Sequence, residues 1–381
     1  MGHNRTALFF AATGPFWMHV YVALYSVLVN TPDADFDVYV VGDDPDPRFL
    51  DNLPFLETLK PGMRISVAPV PEAVSATLPA WERHAPAVFY KIAAAEVVPE
   101  SVETVLYLDG DTVAVDSIAR LLATPLGGHV FGGVPERQPR AARRLARLGL
   151  PAETPYLNSG VLLMDMTRWR EAAMWQRCVA FVRENRNRLT CPEQEFLTTA
   201  FRGQWQPLAP RYNFMQQYVT EALQGADVGP PVIVHFTVEK PWQYGATTPG
   251  LLALRQDLTP TGTLNPYMRY YWTYLARTPC CAPVVADYRR RAESGDAATQ
   301  ALLGSLYVQG VVVERDPAAA AHWFHRAAEQ GVAGAQYELG MMYRHGVGVP
   351  HDSTAAEAWL ERAVSGDPAA GESGPVTPGA S

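Results

Sequence analysis

Short apolar runs alternate with amphipathic segments along the first two thirds of the chain. The runs are rich in β-branched and aromatic residues and are bounded by turn residues, a pattern that predicts β-strands. The predicted strands cover residues 7–12, 36–42, 64–68, 105–108, 130–134, 156–165 and 232–236. Helical periodicity predicts helices over residues 16–30, 86–97 and 169–185, and a further helix that begins at Pro192. Strands that alternate with helices at this spacing predict an α/β domain with a mostly parallel sheet.

A run of arginines follows the fifth predicted strand. Arg137, Arg140, Arg143, Arg144 and Arg147 fall at helical spacing. Such a run is typical of a solvated helix face. The alternative is a basic surface for an anionic acceptor or for a membrane.

The last third of the chain repeats itself. A shift of 36 residues superimposes Gly304 on Gly340 and Gly310 on Gly346, together with matching Tyr, Val, Asp, Trp and Ala positions. This period predicts an α-solenoid of paired short helices, with Gly310 and Gly346 ending the first helix of each unit. About three units are usually needed for independent stability, so we expect the array to rest on the first domain or on a partner. The tail over residues 367–381 has no periodicity and is expected to be disordered.

Composition excludes several classes of protein. The chain has 381 residues, of which 48% are hydrophobic, and its net charge of −8 argues against a general nucleic-acid-binding protein. Its four cysteines have no metal-site spacing. We interpret them as buried or incidental thiols of a protein from a reducing compartment. No early apolar run is long enough for a membrane span or a signal peptide. We therefore expect a cytoplasmic protein that is at most peripheral to the inner face of a membrane.

Asp109 and Asp111 are the first candidates for chemistry, because they directly follow the predicted strand over residues 105–108. In an open α/β sheet, ligands bind beyond the carboxyl ends of the strands. Residues i and i+2 of extended backbone point to the same side, so both carboxylates can converge on one hard cation. Gly110 between them allows close approach of a ligand. A strand-terminating Asp-Gly turn without a metal is the alternative.

Four stretches, taken in order, resemble the signature of the family-eight retaining glycosyltransferases, which have the nucleotide-sugar-binding GT-A fold with its Rossmann-like sheet. They are Leu106–Asp111, Leu157–Val161, Pro192–Leu197 and His235–Trp242, and Pro210–Asn213 also fits the family's order. The resemblance covers residues 6 to 245, and the repeating units resemble Sel-like repeats, which are relatives of the tetratricopeptide repeat. The predicted domains are a catalytic domain (5–265), an aromatic-rich connection (266–287), helical repeats (288–366) and the tail (367–381).

The resemblance implies a metal-dependent hexosyltransferase. Asp109, Asp111 and His235 would be the ligands of Mn²⁺ or Mg²⁺, bound between the protein and the diphosphate of a UDP-sugar. A histidine ligand favours Mn²⁺. Glucose or galactose would pass with retention to a saccharide, a lipid-linked molecule or another acceptor. Glu193 and Gln194 would be the catalytic residues, and the uncharged amide favours departure and attack on one face of the sugar over a covalent intermediate.

The same resemblance implies a set of donor-binding residues, in which Phe16 stacks on the uracil and Lys240 contacts the diphosphate. The set is Ala11, Thr13, Phe16, Lys91, Asp109, Gly110, Asp111, Asn158, Ser159, Gly160, Glu193, Gln194, His235 and Lys240. Three positions depart from the family pattern: Thr13 replaces an acid that recognises the base, Glu193 replaces Asp, and Val238 replaces Gly. Each residue also has a structural alternative, such as a core histidine for His235 or helix-dipole acids for Glu193 and Glu195.

Two other functions compete with the transferase. One is a scaffold or adaptor whose catalytic domain has lost turnover and whose repeats dock a protein partner. The other is a sugar nucleotidyltransferase, but the sequence has no Gly-rich phosphate loop near its start. Two sets of residues are candidates for the surface that contacts the acceptor. One is the arginine run, and the other is an aromatic run that consists of Tyr267, Tyr270, Tyr271, Trp272 and Tyr274.

Overall fold

The computed structural model describes residues 6–78, 86–136, 139–237, 240–243 and 267–365. The chain divides into two compact units, residues 1–237 and 238–381. The predicted domain boundary at residue 265 and the predicted disordered tail lie outside the described residues, as do Arg137 and Val238.

The first unit is built on a seven-stranded sheet. The described strands of this unit, including two that belong to a second sheet, are β1 (Thr6–Ala12), β2 (Phe36–Gly42), β3 (Arg64–Ala68), β4 (Thr104–Leu108), β5 (Thr112–Ala114), β6 (Phe131–Pro135), β7 (Leu157–Asp165), β8 (Gln206–Pro207) and β9 (Ile233–His235). The large sheet has the order β3-β2-β1-β4-β7-β6-β8, and β5 pairs with β9 in a small second sheet. Pairing is parallel from β3 to β4, whereas β7 is antiparallel to both of its neighbours. The predicted α/β class with a mostly parallel sheet is confirmed.

Helices cover the sheet and bury its central strands. They are α1 (Phe16–Asn30), α2 (Pro47–Asp51), α3 (Leu53–Leu59), α4 (Glu72–Ser75), α5 (Ala87–Tyr90), α6 (Ala94–Val97), α7 (Ala119–Leu122), α8 (Pro139–Leu148), α9 (Met166–Glu171), α10 (Met174–Asn185), α11 (Pro192–Phe201) and α12 (Gln216–Leu223). Residues 7–12 of β1 are all buried, as expected for a parallel strand with both faces covered. Lys60 is also buried, and its ammonium donates to the carbonyls of Thr31, Pro32 and Ala34 in the loop before β2.

Two helix predictions were wrong in their extent. The helix predicted over residues 86–97 is the pair α5 and α6, with Lys91 at the end of α5. The helix predicted over residues 169–185 is likewise two helices, because Ala173 adopts a left-handed φ of 45° between α9 and α10. Neither break carries a Gly or Pro that could have indicated it.

Arg140, Arg143, Arg144 and Arg147 of the arginine run lie on α8, and the described side chains among them have different surroundings. Arg143 and Arg147 are exposed, and Arg147 donates to the hydroxyl of Thr190 at 3.1 Å. Arg144 instead lies over the ring of Tyr156, with its Nη1 3.5 Å from Glu136 Oε1. Arg144 is therefore packed within the fold. Arg143 and Arg147 are still best interpreted as part of a solvated helix face.

The second unit is helical. Its described helices are α13 (Met268–Ala276), α14 (Cys281–Glu293), α15 (Ala297–Gln309), α16 (Pro317–Glu329), α17 (Ala333–His345) and α18 (Ser353–Ser365). Gly310 and Gly346 cap α15 and α17 in the left-handed conformation, with φ of 64° and 63°, as the repeat predicted. A Cβ on Gly304 would lie 2.7 Å from the Phe324 ring, so the small residue sets the approach of α15 to α16.

Most of the aromatic run of α13 is interior. Tyr271, Trp272 and Tyr274 are buried, and Trp272 meets the ring of Tyr288 on α14 edge-on at 6.2 Å. These three rings therefore serve packing rather than the acceptor surface. No helix in the described parts of the chain is long and apolar enough to cross a membrane.

Candidate functional site

The antiparallel direction of β7 brings two distant motifs together. The start of β7 lies beside the end of β4, where Val161 pairs with Leu108. The Asp109 amide then donates to the Gly160 carbonyl at 2.8 Å. The predicted donor residues Asn158, Ser159 and Gly160 consequently stand at the same edge of the sheet as the Asp-Gly-Asp turn.

The small sheet carries the third member of the predicted metal site. His235 pairs with Thr112 at the start of β5, and the Phe236 amide donates to the Asp111 carbonyl at 2.9 Å. Ligand atoms of Asp109, Asp111 and His235 all lie within 4.8 Å of one another. His235 Nε2 is 3.1 Å from Asp111 Oδ1 and 3.8 Å from Asp109 Oδ2. Two carboxylates and an imidazole in this arrangement form a potential site for a divalent cation.

Lys91 is buried at this cluster. Its ammonium donates to Asp109 Oδ1 at 2.8 Å and to the Ser159 carbonyl at 3.2 Å. Burial lowers the pKa of Lys91, but the carboxylates of Asp109, Glu193 and Asp111 outweigh that cost and raise its pKa above the ordinary value. Lys91 is therefore charged at neutral pH.

The charges and the space at this edge fit a divalent cation. Three carboxylates act on one ammonium, which leaves a formal excess of two negative charges when His235 is neutral. Gly160 leaves the room that the ligands need, since a Cβ there would lie 2.1 Å from His235 Cε1 and 2.9 Å from Asp109 Oδ2. Carboxylate oxygens and a histidine nitrogen are a donor set that suits Mn²⁺ and accepts Mg²⁺ less readily.

The predicted catalytic residues lie at the start of α11, against the same part of β7. Gln194 Oε1 accepts from the Ser159 amide at 3.1 Å, and Glu193 Oε1 accepts from the Ser159 hydroxyl at 3.3 Å. Gln194 Nε2 is 3.4 Å from Glu136 Oε2. Glu195 faces elsewhere and caps its own helix by accepting from the amides at 190 and 191, so it has the structural role of a first-turn acid.

The residues predicted to contact the nucleotide base lie at the ends of β1 and α1. Ala11 is buried at the end of β1, Thr13 is half-buried, and the Phe16 ring at the start of α1 is 38% exposed. Gly110 lies against α1, because a Cβ there would lie 2.9 Å from Val20 Cγ2 and 3.6 Å from Phe16 Cδ1. The exposed ring of Phe16 is thus close to the Asp-Gly-Asp turn. Lys240 belongs to the second unit, and its donor role stays a prediction.

Sequence reasoning missed three polar residues of this edge. The Tyr107 hydroxyl donates to Asp109 Oδ1, Asn213 contacts both His235 and Asn158, and Glu136 contacts Gln194. The two-residue period of a strand could have indicated Tyr107, which shares a face with Asp109. Asn213 closes a stretch that was recognised only by its order in the chain. No pattern in the sequence indicated that Glu136 would lie at this edge.

Comparisons with known proteins agree with this geometry. The family model for glycosyl transferase family 8 matches residues 7–246, and Sel1 repeats match residues 297–332 and 333–367. A lipopolysaccharide 1,2-glucosyltransferase of Escherichia coli K12 is 23% identical over 239 residues, 60% of this chain and 70% of that protein. Glycosyltransferase GlyF of Streptococcus pneumoniae is 27% identical over 159 residues, which are 40% of this chain and only 37% of that protein.

Solved structures show the same fold. The galactosyltransferase LgtC, in complex with donor and acceptor sugar analogues, superimposes with a TM-score of 0.54 at 23% identity, over 62% of this chain and 89% of that chain. At this identity the likeness supports the GT-A fold and leaves the substrate open. The match to the family model extends over more than half of the chain and includes every strand of the large sheet. The chain therefore belongs to glycosyl transferase family 8 and continues into two Sel1 repeats.

Proposed function

We propose that the protein is a metal-dependent retaining transferase that moves glucose or galactose from a UDP-sugar to a saccharide, lipid-linked or other acceptor. The observation that carries the proposal is the convergence of Asp109, Asp111 and His235 beside the buried ammonium of Lys91. The names of two similar proteins, a glucosyltransferase and a galactosyltransferase, support a hexose donor.

Asp109, Asp111 and His235 would hold the cation, with Mn²⁺ preferred because of the imidazole. When bound, the cation supplies Lewis-acid stabilisation of the departing diphosphate. Lys91 holds the carboxylate of Asp109 in place through a hydrogen bond from its ammonium. Phe16 offers an exposed ring on which the base can stack, and Lys240 adds a positive charge for the diphosphate.

Retention of configuration is proposed to follow the front-face route, in which the leaving phosphate accepts the proton of the acceptor. The backbone amide of Ser159 can only donate a hydrogen bond. Gln194 therefore presents its side-chain oxygen to that amide and its NH₂ group to Glu136. Gln194 is thus an oriented, uncharged neighbour for the sugar. Glu193 is buried and hydrogen-bonded, and we assign it to holding the sugar rather than to forming a bond with it.

Donor hydrolysis tests the proposal without knowledge of the acceptor. The protein is incubated with Mn²⁺ and UDP-glucose, UDP-galactose, GDP-glucose or ADP-glucose, and nucleotide release is measured with and without a chelator. We expect release from a UDP-hexose that stops on chelation. Use of the other bases would show relaxed base recognition, as expected where Thr13 replaces the acid of the family pattern. Absence of both release and thermal shift with every donor would favour the scaffold instead.

The chemical route has its own test. Glu193→Gln should leave measurable turnover, because the front-face route requires no nucleophile at this position. Complete loss of turnover in this variant, together with a sugar adduct on Glu193 of the wild type, would establish a covalent intermediate and overturn the front-face assignment. Asp116→Asn, a change on an exposed carboxylate after β5, serves as the matched acid-to-amide control.

The remaining proposals concern the binding partners of the protein and its location in the cell. We assign the Sel1 repeats to docking a protein partner or bracing the fold, and no nucleic acid is expected. The four cysteines are free thiols, which supports a reducing compartment such as the cytoplasm. Peripheral contact with the inner face of a membrane fits the exposed arginines of α8.

A further inference from the structure

The buried side chain of Asn213 lies directly behind the proposed metal ligand His235. Asn213 is fully buried, at 0% exposure, and its Oδ1 is 2.8 Å from His235 Nδ1. On the other side of the ring, Nε2 faces the carboxylates of Asp111 and Asp109 at 3.1 and 3.8 Å. Which ring nitrogen carries the proton therefore decides whether Nε2 can act as a ligand.

The hydrogen-bond network fixes that proton through an unambiguous donor. The backbone amide of Gly160 can only donate, and it points at Asn158 Oδ1 at 3.0 Å. The oxygen of the Asn158 amide is thereby identified. The same oxygen lies 2.9 Å from the Asn213 amide, so Asn213 must present its NH₂ group there. Its own oxygen then faces His235 Nδ1 and requires a proton on that nitrogen.

A proton on Nδ1 leaves the lone pair of Nε2 directed at two carboxylates. Two acceptors that face each other at 3.1 Å repel in the absence of a positive charge between them. A cation bound between Nε2 and the carboxylate oxygens turns this repulsion into coordination. The network therefore prepares the imidazole for a metal before the metal arrives.

The backbone holds Asn213 in place for this task. Asn213 follows a 3₁₀ turn over Pro210–Tyr212, and its amide donates to the Pro210 carbonyl at 3.0 Å. The next residue, Phe214, bridges Val234 in β9, and its amide donates to the Ile233 carbonyl at 2.8 Å. The register of this segment against β9 consequently places the Asn213 side chain opposite the His235 ring.

We propose that Asn213 is a positioning residue that holds His235 in the Nδ1-protonated tautomer, so that Nε2 is available to the cation. Asn158 relays the orientation from the Gly160 backbone. The proposal rests on the metal site of the proposed function, although the tautomer itself can be observed without any metal. Partners behind metal-ligating histidines typically change metal affinity by about 10- to 100-fold when they are removed.

The decisive experiment is nitrogen-15 NMR of the histidine rings in the metal-free protein, at a pH where they are neutral. The His235 signals among the nine histidines are identified by their loss in His235→Gln. We expect Nδ1 of His235 to be protonated and Nε2 to be bare. The opposite tautomer, or an even mixture of the two, would overturn the proposal, and this holds even where no Asn213 variant folds.

Calorimetric titration with Mn²⁺ adds the consequence for binding. Asn213→Leu removes the acceptor and should weaken Mn²⁺ binding about 10- to 100-fold, with a mixed tautomer. Asn213→Asp keeps an acceptor for Nδ1 and should keep the tautomer, although it loses the NH₂ group that donates to Asn158 Oδ1. Asn185→Leu, at the end of α10 where the amide caps only the Phe181 carbonyl, controls for the substitution itself and should bind Mn²⁺ as the wild type does.

The outcomes separate this inference from the proposed function. A folded Asn213→Leu variant with wild-type tautomer and affinity would overturn the role of Asn213 while the metal site stands. A wild type that shows the expected tautomer but binds no Mn²⁺ would support the positioning role and overturn the metal-dependent transferase.

Discussion

The donor-site edge of the first unit and the repeat helices of the second both bury polar side chains, but they satisfy them differently. We use donor-site edge for the edge at which the proposed donor site lies, and its residues are Lys91, Asp109, Asp111, Asn158, Glu193, Gln194, Asn213 and His235. In repeat helices α15 and α17, Gln300 and Gln336 donate to backbone carbonyls only 8 residues earlier in the chain. At the donor-site edge the partners are as far apart as Lys91 and Ser159, 68 residues away.

Because the hydrogen bonds of the two regions differ in this way, substitutions in the two regions should have different effects on stability and on catalysis. The repeat bond recurs at the 36-residue shift, from Gln300 to Gln336, and each copy joins the first helix of a repeat to the helix that directly precedes it in the chain. The donor-site bonds exist only when β4, β7 and β9 are all in register. Changes in the repeat helices should therefore alter the free energy of unfolding and leave catalysis intact, whereas changes at the donor-site edge should alter both.

The largest effect is expected for Asp111→Ala. Loss of a proposed ligand removes Lewis-acid stabilisation worth several kcal/mol, which corresponds to a fall in kcat/KM of at least about a hundredfold. The measurement is Mn²⁺-dependent release of UDP. Asp116→Ala, on an exposed carboxylate only a few residues away, should keep its rate, and equal rates in the two variants would contradict the site.

Lys91→Met should combine loss of stability with a metal effect. Three carboxylates lose their buried counter-charge, and breaking such a pair costs about 3–5 kcal/mol. Because the pKa of Lys91 is raised, its contribution is present below the ordinary lysine pKa and is lost as the pH rises through the folded value. Urea unfolding measures the loss, and Mn²⁺ should stabilise this variant more than the wild type.

The control for Lys91→Met is Arg143→Met on the exposed side of α8. A surface cation of this kind should change the free energy of unfolding by no more than about 0.5 kcal/mol. Equal losses in the two variants would mean that the carboxylates at Lys91 are not left uncompensated.

A change within the repeats should affect stability alone. Alanine normally stabilises a helix by about 1 kcal/mol relative to glycine, but at Gly304 its Cβ would lie 2.7 Å from the Phe324 ring. Gly304→Ala should therefore lower stability by about 1–3 kcal/mol, with unchanged UDP release. Gly340→Ala should lower stability as well, since its Cβ would lie 2.8 Å from Leu360 Cγ and 3.1 Å from the Ala356 carbonyl oxygen. A stabilised Gly304→Ala would show that the helices are not in close contact.

The smallest effect concerns the start of α15. Burial raises the pKa of Asp296, but hydrogen bonds from Thr299 and from Arg291 outweigh it and lower the pKa overall. The capping contribution, about 1 kcal/mol, is present above the ordinary aspartate pKa and is lost as the pH falls through the folded value. Asp296→Ala should differ from the wild type in urea unfolding at pH 7 and converge with it in acid. Asp287→Ala removes an exposed ion pair and should differ little at either pH.

Hydrophobic patterns along the chain predicted the bounds of several elements well. Strands β2 and β3 and helix α1 match their predicted bounds, because hydrophobic periodicity reports directly on a strand or helix with a buried face. The caps at Gly310 and Gly346 followed from the repeat alone. Ala173 shows the opposite case, since its left-handed backbone divides α9 from α10 without any turn residue.

The donor-site edge could be predicted only in part. The convergence of Asp109, Asp111 and His235 followed from the family resemblance and is confirmed as a cluster. The role of Asn213 could not be inferred, because it depends on the bridge between Phe214 and Val234 and on the antiparallel register of β7. Strand direction and register are set by the whole sheet, and a single motif does not contain them.

The burial of Lys60 and Lys91 has a practical consequence for covalent labelling. The sequence contains three lysines, and only Lys240 is not buried. An amine-reactive reagent applied to the folded protein should therefore modify one lysine side chain and spare the two interior ones. If a UDP-sugar covers Lys240 as proposed, it would slow that single acylation. The rate of modification at Lys240, followed separately from that of the N-terminal amine, then measures donor occupancy in the absence of any acceptor.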